Sequence, residues 1–81
     1  MEVRVLLFAS VRQSAGGDEI RIDVPDGTTA GDLLDRLREK IPALEGLADR
    51  IKLAVNEEFV DRSYKIQPGD EAAVIPPMSG G

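Results

Sequence analysis

The chain has 81 residues, which is enough for one compact domain, and its 42% hydrophobic and 31% charged content is ordinary for a globular protein. Its formal net charge is −5, which argues against nucleic acid and anionic membranes as partners, because both are bound through clustered Lys and Arg. The absence of Cys and His excludes disulfides, thiol nucleophiles and the usual general base, so we expect no metal site and no bound cofactor. A cytoplasmic location is expected by default.

The first quarter of the chain contains two alternating segments. The segment from Glu2 to Ala9 is predicted to be a strand. Its two faces carry Val3, Val5 and Leu7 on one side and Arg4, Leu6 and Phe8 on the other. Residues 10–17, rich in Ser and Gly, are predicted to be a loop, and Asp18 to Val24 a second strand that forms a hairpin with the first.

A helix is predicted after the turn at Pro25-Asp26-Gly27. Thr29 is its expected N-cap, with Asp32 in the capping-box position. Its apolar positions recur at helical spacing: Leu33, Leu34, Leu37 and Ile41. Pro42 ends the helix, and the segment 43–50 is compatible with either a loop or one helical turn.

Three further strands are predicted in the second half of the chain. They span Ile51 to Val55, Phe59 to Val60 and Glu71 to Ile75, with a turn at Gln67-Pro68-Gly69-Asp70 before the last of them. The order is β-β-α-β-β-β. This predicts an α+β fold in which one main helix covers a mixed sheet of four to five strands, with the first and last strands as the central pair.

No catalytic constellation is recognisable along the chain. The acid pairs Glu57-Glu58 and Asp70-Glu71 lie at turns, where carboxylates are usually solvated. Gly16-Gly17 is not part of a phosphate-binding pattern. The chain alone therefore does not look like an enzyme.

The C-terminus has its own pattern, and we predict a domain over residues 1–75 followed by a flexible tail over residues 76–81. Pro76 and Pro77 stiffen the exit from the last strand, because proline fixes φ and cannot extend a ladder. Six extended residues reach about 20 Å, and Gly80 and Gly81 lack a Cβ, so they can thread a narrow channel. Such a tail can deliver its carboxylate into another protein's active site; a simply frayed terminus is the alternative.

Four segments resemble one known family. They are Val5–Arg12 (VLLFASVR), Thr29–Leu34 (TAGDLL), Val55–Val60 (VNEEFV) and Gln67–Gly81 (QPGDEAAVIPPMSGG). The chain resembles the small subunit of molybdopterin synthase, the MoaD family, over essentially its whole length. The resemblance implies a β-grasp (ubiquitin-like) fold.

The resemblance also implies a sulfur chemistry at the C-terminus. An E1-like adenylyltransferase would use ATP to adenylylate the Gly81 carboxylate, and sulfur from a sulfurtransferase would replace AMP to give a thiocarboxylate. The tail would enter the large subunit of molybdopterin synthase in a heterotetramer and give sulfur to cyclic pyranopterin monophosphate. Gly81 would carry the reactive group, and Gly80 would be the narrow residue that precedes it in the tail. The chain itself would bind no cofactor.

An apolar patch near the tail is predicted from the alternation of side chains between the two faces of each strand. Phe8 lies on the face of the first strand opposite Val3, and Ile75 lies opposite Val74. Phe59 lies in a short strand beside a charged turn. We expect these three apolar residues to be exposed and to bind a partner; the resemblance places the matching positions on the family's partner-binding face. The expected tail contacts are Pro76, Pro77, Met78 and Ser79.

Three alternatives stay open from the sequence. The chain could be a sulfur carrier of another pathway, such as thiamine synthesis or tRNA thiolation, although the Pro-Pro-Met-Ser spacing argues against the thiamine type. It could be a protein modifier conjugated through Gly81 to lysines, since the same activated acyl group supports both fates. It could also be an interaction module with an incidental tail.

Overall fold

The computed structural model describes residues 1–42, 44–45 and 51–76. In chain order the elements are β1 (Glu2–Leu7), α1 (Ala9–Ala15), β2 (Glu19–Asp23), α2 (Ala30–Lys40), β3 (Lys52–Val55), β4 (Glu58–Phe59) and β5 (Glu71–Ile75). The strands form one five-stranded sheet in the order β2-β1-β5-β3-β4. β1 and β5 pair in parallel, and the other neighbours are antiparallel. The predicted mixed sheet with the first and last strands adjacent in its middle is confirmed.

The prediction of a loop over residues 10–17 is wrong, because α1 occupies most of that segment. The side chain of Val11 is only 2% exposed, so the short helix contributes to the core. Gly16 ends it in a left-handed conformation, with φ +79°, and its N–H donates to the Arg12 carbonyl. β1 consequently ends at Leu7 and not at Ala9. Neither helix of the described residues is long and apolar enough to cross a membrane.

The core lies on one side of the sheet, beneath α2. Burial alternates along β1 and β5, so that every second side chain faces the helix. The predicted cap of α2 is confirmed, because the Thr29 hydroxyl accepts a hydrogen bond of 3.2 Å from the Asp32 N–H. The buried residues of α2 include Leu33, Leu34 and Leu37. Of the segment 43–50, residues 44–45 lie in a short 3-10 turn and the others lie outside the described residues.

The start of α2 is fixed to the chain that precedes β5. The Ala30 N–H donates to the Tyr64 carbonyl at 2.8 Å, and the Gly31 N–H donates to the Arg62 carbonyl at 2.9 Å. Two of the N–H groups that a helix leaves unpaired at its start are thereby satisfied. A Cβ on Gly31 would lie 3.0 Å from the Cβ of Arg62, so the close approach requires glycine. The position of Arg62 beside α2 is therefore well determined.

Asp70 connects two loops through its carboxylate. One oxygen accepts from the Asn56 amide at 3.0 Å. The other accepts from the Tyr64 hydroxyl at 2.9 Å and from the Gln67 N–H at 2.8 Å. Partial burial alone would raise the pKa of Asp70, but the hydrogen bonds from Gln67, Asn56 and Tyr64 together hold its pKa below the usual value. The carboxylate thus joins the β3–β4 turn to the loop that leads into β5.

The replacement Asp70→Asn is expected to lower the free energy of unfolding by about 2 kcal/mol at neutral pH, because three donors lose a charged acceptor. The folded-state pKa of Asp70 is depressed, so the stabilisation is present above the usual value of 3.8 and is lost as pH falls through the folded pKa. Urea unfolding between neutral pH and about pH 2.5 measures this, and the two proteins should converge in stability at the acid end. Asp18→Asn, whose side chain is 83% exposed, is the control and should cost little. A wild-type advantage that stays constant with pH would contradict the role of the charge.

Candidate functional site

The chain leaves the domain from the middle of the sheet. β1 and β5 run parallel with Leu7 opposite Val74, so the carboxyl ends of both strands lie at the same end of the sheet. Ile75, the last residue of β5, lies opposite Lys52 of β3. The half-buried Pro76 follows Ile75 and begins the predicted tail.

Most of the predicted tail contacts fall beyond this point. Pro77, Met78, Ser79, Gly80 and Gly81 lie outside the described residues, so the roles assigned to them stay predictions. The last described residue of the tail is Pro76. The geometry accordingly defines where the C-terminal segment leaves β5.

A row of side chains crosses the sheet on the face opposite α2. The strand register aligns, from β2 to β4, Glu19, Leu6, Ala73, Ala54 and Phe59. Four of these five side chains are apolar. Phe59 is 66% exposed at the end of the row, whereas Leu6 and Ala73 are half-buried in its middle. The open face of the sheet is therefore largely apolar along this line.

Phe8 and Ile75 extend the apolar surface to the tail exit. Phe8 has extended backbone angles, φ −129° and ψ 158°, so it continues the alternation of β1 and lies on the open face. Its side chain is 44% exposed, and Ile75 beside it is half-buried. The predicted exposure of Phe8 and Phe59 is confirmed. The open-face patch is defined by Leu6, Phe8, Ala54, Phe59, Ala73 and Ile75.

Three members of this patch were not among the predicted site residues. Leu6 shares its face with Phe8 by simple alternation, so the signal for it was present in the sequence. Ala54 and Ala73 join Phe59 to the rest of the patch only through the pairing of β3 with β4 and β5. Small side chains in this position leave the sheet flat enough to be covered by a partner.

A charged cluster borders the patch on the side of β2. The Arg4 guanidinium binds both carboxylate oxygens of Glu19, at 2.9 Å and 3.1 Å, and contacts Glu71 at 3.1 Å. The hydrogen bond from Arg4 lowers the pKa of Glu19, and the same hydrogen bond raises the pKa of Arg4. At the other side of the patch, the Lys52 ammonium lies 5.6 Å from the centre of the Phe59 ring. An apolar centre with a polar rim is the usual arrangement of a protein-binding surface.

The described residues of the site offer apolar surface, and no cluster of metal-ligating side chains is found among them. The chain contains no His and no Cys, and within residues 1–42, 44–45 and 51–76 no three acidic side chains converge as metal ligands would. The open-face patch provides apolar contact area, and the tail beginning at Pro76 provides the only reactive group that the sequence analysis identified. Within the described residues, the site is therefore an exposed apolar surface beside the point where the chain leaves β5.

Comparisons with known proteins agree with this geometry. The model of the ThiS family matches residues 5–81. The molybdopterin synthase sulfur carrier subunit of Arabidopsis thaliana is 42% identical, over all of this chain and 84% of the relative. The subunit of the same name from Mycobacterium tuberculosis is 37% identical, over all of this chain and 99% of the relative.

A solved structure shows the same fold. The crystal structure of SAMP1 from Haloferax volcanii has a TM-score of 0.86 and 36% sequence identity, and the whole of both chains is covered. Its likeness extends over all the described strands and both helices. The chain therefore belongs to the ThiS family, with a ubiquitin-like β-grasp fold and full-length similarity to molybdopterin synthase sulfur carrier subunits.

Proposed function

We propose that this protein is the sulfur carrier subunit of a molybdopterin synthase. One observation carries the proposal: full-length relatives at about 40% identity bear that name, and the family match continues through Gly81, so it includes the Gly-Gly end. The terminal carboxylate would be converted to a thiocarboxylate and would give its sulfur to cyclic pyranopterin monophosphate. A cytoplasmic location belongs to the same proposal.

The chemistry requires activation, because a carboxylate is a poor electrophile. Attack of the Gly81 carboxylate on ATP forms an acyl-adenylate and releases pyrophosphate, and a sulfur nucleophile then displaces AMP. An E1-like adenylyltransferase would supply the ATP site, and a sulfurtransferase would supply the sulfur. After the sulfur has bonded to the acceptor, water attacks the acyl carbon, the acyl–sulfur bond breaks, and the carboxylate is regenerated while the sulfur stays on the acceptor. Since a dithiolene has two sulfurs, two carriers serve each product, which fits a heterotetramer with the large subunit.

The open-face patch would dock the large subunit. Binding there places Pro76 at the partner's surface, because the tail leaves the sheet beside Phe8 and Ile75. Six extended residues reach about 20 Å, so Gly81 can enter a buried active site while the domain stays outside. Holding the reacting end near its target converts a bimolecular encounter into an intramolecular one. The catalytic side chains would then belong to the partners.

The intact mass of the protein tests the proposal. After incubation with ATP, an E1-like adenylyltransferase and a sulfur source, we expect the intact protein to gain about 16 Da, the replacement of one oxygen by sulfur. Omission of ATP should abolish the gain. Unchanged mass, under conditions in which a known carrier is loaded, would refute sulfur transfer. A gain that then disappears on incubation with the large subunit and the pterin would identify the acceptor.

A protein modifier is the second candidate, favoured by the likeness to SAMP1 and to the H. volcanii small archaeal modifier protein 1, the latter with a TM-score of 0.83 and 34% identity. A lysine amine would attack the same acyl-adenylate and form an isopeptide bond. Trypsin would leave all of residues 66–81 on the target, because the last basic residue is Lys65. Cyanogen bromide cleaves after Met78 and would leave Ser-Gly-Gly. Lysines carrying Ser-Gly-Gly after combined digestion would support conjugation.

A further inference from the structure

A groove lies at the β4 edge of the sheet, where its lining joins residues of α2 to Lys52 and Phe59 of the open face. It has a volume of about 480 Å³ and lies between α2, β3 and the segment 58–62; we call it the β4 groove. Its apolar wall includes Leu34 of α2, Ile51 before β3, and Phe59 and Val60. Clefts that hold ligands have volumes of roughly 300–1,000 Å³ and walls of this kind. The groove is therefore large enough for several side chains of a partner.

The charges that line the β4 groove are mainly positive. Arg38, Lys52 and Arg62 line it, together with the single acid Asp61. The whole chain, by contrast, has a net charge of −5. Basic side chains thus outnumber acidic ones in the lining of this groove, although Asp35 contacts both arginines, and an acidic occupant would be favoured above all at Lys52.

The cations of the groove are held in place by their neighbours. Asp35 lies 3.3 Å from an Nη of Arg62 and 3.8 Å from an Nη of Arg38. The Lys52 ammonium lies over the Phe59 ring, 5.6 Å from its centre. The Arg62 backbone is in turn bonded to the first turn of α2. The Lys52 and Arg62 side chains are therefore both held by neighbouring groups before any partner binds.

The backbone at the sheet edge can also contribute. β4 is the outermost strand, and the Val60 N–H donates to the Leu53 carbonyl at 3.2 Å. In an antiparallel pair, alternate residues bond to the partner strand, so the N–H and C=O of Phe59 point away from the sheet. Such an edge can pair with one residue of an added extended segment.

We propose that the β4 groove docks an extended segment of a protein partner in which acidic residues alternate with apolar ones. The apolar side chains pack between Leu34 and Phe59, and the carboxylates bind Lys52 and Arg62. The inference does not depend on sulfur chemistry and adds a second contact site to the open-face patch. The two surfaces meet at Phe59, so one partner can cover the open face and continue around the β4 edge.

The test uses the full chain, labelled with ¹⁵N, and a synthetic probe. The probe is an acetylated and amidated peptide of alternating sequence, Glu-Leu-Asp-Phe-Glu-Leu-Asp. We expect amide shifts confined to residues 34–38 and 51–62 and a Kd below about 1 mM. The double replacement Lys52→Gln with Arg62→Gln should weaken binding by at least about tenfold. A peptide with Lys and Arg in place of the acids should bind the unmodified protein even more weakly than the acidic peptide binds the double variant.

The matched control removes two cations that do not line the groove, Lys40→Gln with Lys65→Gln. Its affinity should change by less than about threefold, because distant charges are screened. Thermal unfolding verifies each variant, and Lys52→Gln alone replaces the double variant if the latter does not fold. The inference is overturned if the basic peptide binds as tightly as the acidic one, or if the control variant weakens binding as much as the double replacement does. It is also overturned if the amide shifts appear at Leu6 and Phe8 and not around the groove, or if millimolar peptide causes no shifts.

Discussion

Deletion of Gly81 is expected to reduce ATP-dependent sulfur loading by more than about 100-fold. The deletion leaves a carboxylate at Gly80, so the same functional group is present, but the tail is shorter by about 3.5 Å. A misplacement of about 1 Å can cost about 100-fold in rate when a reaction depends on positioning. The folded domain, whose last strand ends at Ile75, should keep its stability.

The initial rate of thiocarboxylate formation, followed by intact mass, measures this effect. Lys65→Gln leaves the length of the tail unchanged, alters none of the expected tail contacts and is the control, with a rate close to that of the wild type. Gly80→Val also preserves the length but adds a branched side chain, and we expect a clear loss because a narrow channel accepts only glycine at this position. Undiminished loading of the Gly81 deletion would show that the length of the tail does not set the position of the reactive group.

The single replacements Phe8→Ala and Phe59→Ala are each expected to weaken binding to the large subunit of molybdopterin synthase by about 30-fold or more. Anchoring aromatic residues at the centre of an interface commonly contribute at least about 2 kcal/mol. Phe8 and Phe59 are 44% and 66% exposed in the isolated domain, so their removal should hardly change the free energy of unfolding. The loss would therefore be one of docking and not of folding.

Titration calorimetry with the purified large subunit measures both variants. Arg21→Ala is the matched control, because Arg21 is 62% exposed and lies on the same face outside the open-face patch. Residues at a polar rim contribute little, and we expect less than about a threefold change. Phe8 is the decisive position, since Phe59 also lines the β4 groove. Wild-type affinity of Phe8→Ala would place the partner on another surface.

The carboxylate of Asp70 gives a physical reason for one of the motifs that carried the family resemblance. The segment Gln67–Glu71 is part of the sequence motif shared with the family, and in the structure it forms the turn that precedes β5. Gly69 has φ +86°, as a turn after Pro68 requires. Asp70 then binds the Asn56 turn and Tyr64. The motif therefore sets the start of β5, the strand from which the tail leaves the domain.

Local rules were sufficient for much of the fold. The two-residue period identified the buried face of β1, and the 3.6-residue period identified the buried face of α2. Caps and turns are local as well, so the predicted roles of Thr29 and of the turn at Pro25-Asp26-Gly27 are confirmed; the Thr28 N–H donates to the Pro25 carbonyl at 3.2 Å. Local rules failed at α1, where Ser and Gly indicated a loop, because burial of Val11 compensates for a weak helical sequence.

The sequence by itself determined the faces of the strands and of the main helix and the exposure of Phe8 and Phe59, because each depends on the residue and its near neighbours along the chain. Only the tertiary structure decided which of these residues meet. Phe59 joins Leu6 through Ala54 and Ala73 because three strand pairs have a particular register. Arg62 lies beside α2 because its backbone carbonyl accepts a hydrogen bond from Gly31, about 30 positions earlier in the chain. Register and packing between distant segments follow from the burial of the whole core, and no local pattern encodes them.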